Sequence, residues 1–219
     1  MKEKHIIVPR SARFYTSGDI TPDIDEIWFV LHGYGQLAKY FIKHFKGIVT
    51  PQRLIVAPEA LSRFYLDDDH QRVGATWMTR EDRNVEMEDY IKYLDILYSY
   101  IQKKITTPFK LVVLGFSQGT STAMRWITRG KPSPELVILW AGEIPSEIDL
   151  TQLQPLFQKR PLQLVLGKKD EFIPTSRLTR EEKRLQDSGI SYQIHFFDGG
   201  HRIDPPLLKK LSTLLSELK

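Results

Sequence analysis

The chain has 219 residues, 41% hydrophobic and 26% charged, with 31 basic against 27 acidic residues and no cysteine. This balance suits a globular fold with a substantial core and excludes a disordered chain. The missing cysteines exclude disulfides, a thiolate nucleophile and cysteine-ligated zinc. The net charge of +4 is spread in short pairs such as Lys168-Lys169 and Lys209-Lys210, so no nucleic-acid partner is expected. No apolar run approaches the roughly 20 residues of a membrane span, and no signal peptide is visible. A cytoplasmic protein without stable membrane insertion is expected, folded as one domain over residues 1–219, with the oligomeric state left open.

Short apolar runs alternate with longer amphipathic ones, the mark of an α/β sheet. Strands are predicted over residues 6–8 and 13–16, then over 26–31. There Ile27-Trp28-Phe29-Val30-Leu31 is apolar at consecutive positions, as in a strand covered on both faces. His32-Gly33-Tyr34-Gly35 follows directly. Glycines at this place let the backbone pass close to a substrate carbonyl. The Tyr34 amide is the expected oxyanion donor, and His32 is expected to brace the loop rather than act as a base. A helix over 36–45 and a strand over 53–57 come next. Residues 58–82 have uncertain structure, and long connections in compact domains are often functional. A helix over 83–104 then sets Met87, Ile91, Leu94 and Tyr98 at helical spacing.

The strand over 110–115 runs into Gly115-Phe116-Ser117-Gln118-Gly119, and a helix is predicted over 118–128. In a strand–turn–helix, Gly-x-Ser-x-Gly exposes the serine hydroxyl on a strained turn. The following helix N-terminus offers N–H groups to an oxyanion. Ser117 is therefore the expected nucleophile and Gln118 the second oxyanion donor. A strand over 136–140, a helix over 150–157 and a strand over 162–166 lead to Asp170-Glu171-Phe172-Ile173-Pro174. A helix over 177–187 and a strand over 192–197 precede Asp198-Gly199-Gly200-His201. A helix over 206–218, striped with Leu207, Leu208, Leu211, Leu214 and Leu215, ends the pattern.

Asp170 and His201 both stand beyond the carboxyl ends of strands, where open α/β sheets place their chemistry. The order Ser117, Asp170, His201 is that of an α/β-hydrolase triad. Glu143 and Asp198 are the rival acids, the latter reading as a turn former. His5, His44 and His70 read as solvated and His195 as a strand residue. Trp77, Met78, Trp140, Phe172 and Ile173 could line a pocket, although aromatic residues equally fill cores.

Leu31-His32-Gly33-Tyr34-Gly35, Gly115-Phe116-Ser117-Gln118-Gly119, Asp170-Glu171-Phe172-Ile173-Pro174 and Gly199-Gly200-His201 carry a family likeness, with a weaker piece at Gly74-Ala75-Thr76-Trp77. On these pieces the chain resembles the phospholipase/carboxylesterase family, which includes acyl-protein thioesterases and small bacterial esterases. The resemblance implies an α/β-hydrolase fold: a mostly parallel central sheet, helices on both faces and no large cap domain. It implies a triad of Ser117, Asp170 and His201, with oxyanion donors at Tyr34 and Gln118 and no cofactor or metal. Tyr34 and Gln36 depart from the leucine and aspartate frequent in the family, Thr120 from a third glycine, and Met78-Thr79 from an aromatic-acidic pair. The expected activity is hydrolysis of small-molecule carboxylic esters or thioesters with short to medium acyl groups. A peptidase of the same fold, or a binding protein with a decayed site, are the alternatives.

Overall fold

Strands that are apolar at nearly every position need cover on both faces, and the helices of this chain provide it. The computed structural model describes residues 1–217. Nine strands occur among them: β1 (Phe14–Ser17), β2 (Glu26–Leu31), β3 (Arg53–Pro58), β4 (Ser62–Tyr65), β5 (Val73–Thr76), β6 (Lys110–Phe116), β7 (Leu136–Trp140), β8 (Leu162–Gly167) and β9 (Tyr192–Phe197). Seven form one sheet in the order β1-β3-β2-β6-β7-β8-β9, parallel except for β1, which runs antiparallel to β3 at the edge. β4 and β5 pair as a separate antiparallel hairpin.

From β2 the chain steps one way to β3 and then returns to build β6 to β9 on the other side. The strand order therefore reverses between β2 and β6, and a crevice opens there beyond their carboxyl ends. Leu31 pairs with Gly115, so the loops after β2 and β6 begin side by side.

The helices are α1 (Ala38–Phe41), α2 (Arg83–Gln102), α3 (Gln118–Arg129), α4 (Gln154–Lys159), α5 (Thr175–Asp187), α6 (Pro205–Leu211) and α7 (Leu214–Glu217). One apolar cluster joins Ile27, Phe29 and Leu31 to Leu94 of α2, Trp126 of α3, Phe157 of α4 and Leu185 of α5. The opposite cluster joins Trp28 and Val30 to Phe41 of α1, Leu208 of α6 and Leu215 of α7. Successive β2 residues thus serve opposite cores. No helix among the described residues is long and apolar enough to cross a membrane.

Several boundaries differ from the sequence expectation. Residues 6–8 form no strand: Ile6 and Ile7 are 85% and 95% exposed. β-branched residues favour extended backbone, but without a neighbouring strand there is no ladder to join. The helix expected over 36–45 becomes α1 followed by a 3₁₀ helix, Ile42–Ile48. Its buried residues Ile42, Phe45 and Ile48 recur every third position, the period of a 3₁₀ helix. The helix expected over 150–157 splits into a 3₁₀ turn, Leu150–Leu153, and α4, with Pro155 within the first turn of the new helix. The one over 206–218 breaks between α6 and α7, where Arg53 Nη2 donates to the Ser212 carbonyl at 2.7 Å; Leu218 lies outside the described residues. The region 58–82 holds the β4–β5 hairpin, whose turn is fixed by Asp67 Oδ1 accepting from the Gln71 and Arg72 amides.

Candidate active site

Ser117 is the residue between β6 and α3, and its backbone has φ 54° and ψ −119°. A positive φ costs a side-chain-bearing residue on the order of 1–3 kcal/mol, so the surrounding contacts must hold it. The Ser117 N–H donates to Trp140 O at 2.9 Å, and its carbonyl accepts from Thr120 N–H at 3.0 Å and Thr120 Oγ1 at 2.7 Å. A side chain on Gly115 would strike the Gly119 carbonyl, and one on Gly119 would strike the carbonyls of Leu31 and His32. These two glycines let the turn close against the end of β2.

The loop after β2 is fastened on three sides. Gly33 N–H donates to Gln36 Oε1 at 2.8 Å, and Gly35 N–H donates to Ala75 O at 2.9 Å. Ala75 N–H returns a bond to Gln36 O at 3.2 Å. The amides on either side of Tyr34 are thus committed within the fold. The Tyr34 ring is 60% exposed and packs on Phe64, with centroids 5.1 Å apart. A Cβ built on Gly33 would lie 3.1 Å from Ser117 Cβ, which places this loop beside the serine.

His32 is fully buried within the same loop. Its Nε2 faces the Ala60 amide at 3.1 Å and its Nδ1 the Gly33 carbonyl at 2.8 Å. An amide can only donate and a carbonyl only accept, so the ring is the neutral Nδ1–H tautomer. Burial pushes its pKa down to about 4 from the ordinary 6.5. Between those values the unfolded chain takes up a proton that the folded chain refuses. Stability is thus complete above pH 6.5 and drains as pH falls towards 4, by about 3 kcal/mol from this residue. Denaturant midpoints at neutral and acid pH check this. In His32→Gln the loss of stability on acidification should be smaller by that amount; an unchanged acid loss would contradict the role.

Loops after β8 and β9 bring Asp170 and His201 together. Lys168 N–H donates to Phe197 O at 3.0 Å and Lys169 N–H to Gly199 O at 2.9 Å, so the two loops run together. Asp170 Oδ2 lies 2.8 Å from His201 Nδ1, and Asp170 Oδ1 accepts from Phe172 N–H at 2.9 Å. The carboxylate side chain is 1% exposed and the imidazole 20%. The His201 ring sits between Phe116, at 5.0 Å, and Phe172, at 4.8 Å. The contact with Phe116 sets the ring against the residue that precedes Ser117 in the chain.

The rival acids face elsewhere. Glu143 Oε1 pairs with Arg177 Nε at 3.2 Å and lies 3.9 Å from Arg180. Asp198 is exposed and pairs with Lys169 Nζ at 2.9 Å.

The five expected pocket residues divide. Trp77 and Trp140 are buried at 2% and 0% exposure and present no surface to a ligand, which corrects their reading as pocket walls. The Trp77 indole N–H donates to His32 O, and that of Trp140 to Arg202 O, both at 2.9 Å. Each indole has a loop carbonyl to satisfy its one donor, so the rings hold loops in place. Met78 is half-buried, with Sδ 3.4 Å from Arg125 Nη1. Ile173 is half-buried, and Phe172 is 67% exposed beside His201.

Two side chains, that of Gln118 and that of Glu59, have supporting roles that a reading of motifs does not announce. Gln118 Oε1 accepts from Trp77 N–H at 3.1 Å while its Nε2 donates to Met78 O at 2.9 Å, tying the strained turn to the end of β5. Glu59, with a fully buried side chain, meets Arg13 Nε at 2.5 Å and Arg63 Nε at 2.9 Å and accepts from Ala38 N–H at 3.3 Å. Burial raises its pKa, but the two arginines outweigh that and hold it below the usual carboxylate value. The partners of Gln118 lie some 40 residues away and Arg13 lies 46 from Glu59, so no local pattern announces them, although Arg63 stands only four residues on.

Residues 25–219 match the family described as phospholipase/carboxylesterase. No curated protein matches the chain. Among solved structures, acyl-protein thioesterase 2 of Zea mays superposes with a TM-score of 0.66 at 20% identity, over 95% of this chain and 99% of that one. Esterase PE8 gives 0.68 at 21% identity, over 96% and 100%. The carboxylesterase of Bacillus cereus gives 0.68 at 14% identity, over 95% of each. At these identities the likeness speaks for the fold, and the family match for the class of enzyme. The chain belongs to the phospholipase/carboxylesterase family of α/β-hydrolases.

Proposed function

We propose that the chain is a single-domain serine hydrolase that cleaves carboxylic esters or thioesters of short to medium acyl groups through an acyl-enzyme. The observation that carries the reading is the 2.8 Å contact of Asp170 with His201 Nδ1, which leaves the other imidazole nitrogen to serve as base for Ser117 on its strained turn. His201 takes the Ser117 proton as the oxygen attacks the substrate carbonyl, and then gives it to the departing alcohol or thiol. Asp170 orients the imidazole and stabilises its charged form, while the Tyr34 and Gln118 amides receive the oxyanion. Water, deprotonated by His201, releases the acid and restores Ser117.

The acyl preference rests on what lies around the site. The segment after β7 passes through residues 141–149 straight into a 3₁₀ turn, without a cap. The β4–β5 hairpin bears Asp67, Asp68 and Asp69, too polar to close over a lipid tail. A cavity bordered by Leu139, Ile144, Leu164 and Ile173 measures about 20 Å³, room for one water rather than a chain.

Each methylene held in a closed site adds about 0.8 kcal/mol, about fourfold in rate. The expected kcat/KM on p-nitrophenyl esters rises over the first members of an acetate-to-palmitate series and then levels. A rise continuing through palmitate, below the aggregation limit, would reveal a deep acyl channel and overturn the preference.

A further inference from the structure

A groove begins where the loop carrying Tyr34 ends. It runs between the segment of α1 with its 3₁₀ extension and the β4–β5 hairpin, with a volume of about 540 Å³. Gly35 and Gln36 of the loop form its near wall, and the buried Leu37 and Phe41 contribute apolar surface. That volume falls within the range that takes a small organic ligand.

The charges along it share one sign. Lys39 and Arg72 line the groove, and no aspartate or glutamate does. Among the described residues, neither cation has a carboxylate within 4 Å. Lys39 Nζ lies 4.6 Å from the centroid of Tyr40, another lining residue, and Lys43 Nζ stands 5.2 Å from the same ring. The acidic run at the hairpin turn stands outside the lining. Asp67 Oδ1 is spent on the Gln71 and Arg72 amides, at 2.9 and 3.2 Å, and Asp68 and Asp69 point to solvent outside the lining.

Lys39 and Arg72 are both exposed, whereas buried Arg125 pairs with Glu147 and half-buried Arg53 and Arg184 pair with Glu26 and Glu181. Two cations without a carboxylate partner, set over apolar surface and opening from the loop that flanks Ser117, are arranged to receive anionic oxygens. We propose that this groove binds the far end of an ester substrate carrying a carboxylate or phosphate, with Lys39 and Arg72 as its charged donors. The inference rests on the Ser117 reading for the chemistry and adds the substrate class. Guanidinium and ammonium groups both bond such oxygens, the former in a fork and the latter as a point charge.

Matched substrates test it. On the acyl side, the mono-p-nitrophenyl ester of glutaric acid is compared with p-nitrophenyl pentanoate. On the alcohol side, 1-acetylglycerol 3-phosphate is compared with 1-acetylglycerol. At least one anionic ester should lead its neutral partner by about tenfold or more in kcat/KM, chiefly through KM. That lead should shrink as salt rises from about 50 to about 500 mM. It should collapse towards parity in Lys39→Ala/Arg72→Ala and return in Lys39→Arg/Arg72→Lys, with melting temperatures reporting that each variant is folded. Where the neutral esters are turned over, a lead on neither side, or one that survives loss of both cations, overturns the proposal.

Calorimetric titration of Ser117→Ala with 1-acetylglycerol 3-phosphate and with monomethyl glutarate separates this proposal from the catalytic one. Binding of either probe that the double alanine variant loses upholds the groove even if no ester is turned over, in which case the Ser117 reading fails alone. If neither probe binds, or the double variant binds as well, the groove assignment is wrong.

Discussion

Replacing Ser117 by alanine is expected to lower kcat for ester hydrolysis by something on the order of 10⁶. The estimate follows from nucleophile and base acting as one unit, so that removing the hydroxyl leaves only what the oxyanion donors and binding contribute. The fold should be retained. Alanine keeps the Cβ of serine, so the φ of 54° is no harder to hold, and the surrounding Trp140, Thr120 and Gln118 bonds do not use the lost oxygen. Steady-state kinetics alongside a thermal melt separates the two effects. A folded variant within about tenfold of the parent would remove Ser117 from the mechanism.

The second large effect is expected at Asp170. Asparagine there should still accept from Phe172 N–H through its carbonyl oxygen, keeping the loop, but it would face His201 Nδ1 with an amide NH₂. The imidazole would then turn its lone pair to the wrong side, and kcat should fall on the order of 10⁴. Glu143→Gln should change kcat little, because Glu143 is engaged with Arg177 and Arg180 on α5. Parallel kinetics on the two variants decides the matter. The opposite ranking would move the acid to the loop after β7.

The sheet is legible in sequence because a strand buried on both faces is apolar at every position. β2 and β6 announce themselves in this way, and the loops that follow them start level because their register is level. Asp170 and His201 were legible as residues just past strand ends, which the twisted parallel sheet gathers into one crevice. The β4–β5 hairpin was not legible. Ser62 to Tyr65 alternate half-buried and exposed, and their pairing with Val73 to Thr76 depends on an Asp67 turn that only the folded chain assembles. Residues 6–8 erred the other way, since local β-propensity cannot tell whether a neighbouring strand exists. Trp77 and Trp140 show the limit for sites. Composition marks a large ring near the strand ends, but only the fold shows that each indole donates to a loop carbonyl and lies in the core.

The central claim is that one serine, activated by its surroundings, carries the acyl group. Treatment of the folded protein with a fluorophosphonate probe, followed by peptide mass mapping, tests it most directly, since only an activated serine displaces fluoride at a useful rate. The predicted result is a single phosphonyl adduct on Ser117, absent in Ser117→Ala and formed far more slowly in His201→Ala. No adduct, or an adduct on another serine with Ser117 unmodified, would contradict it.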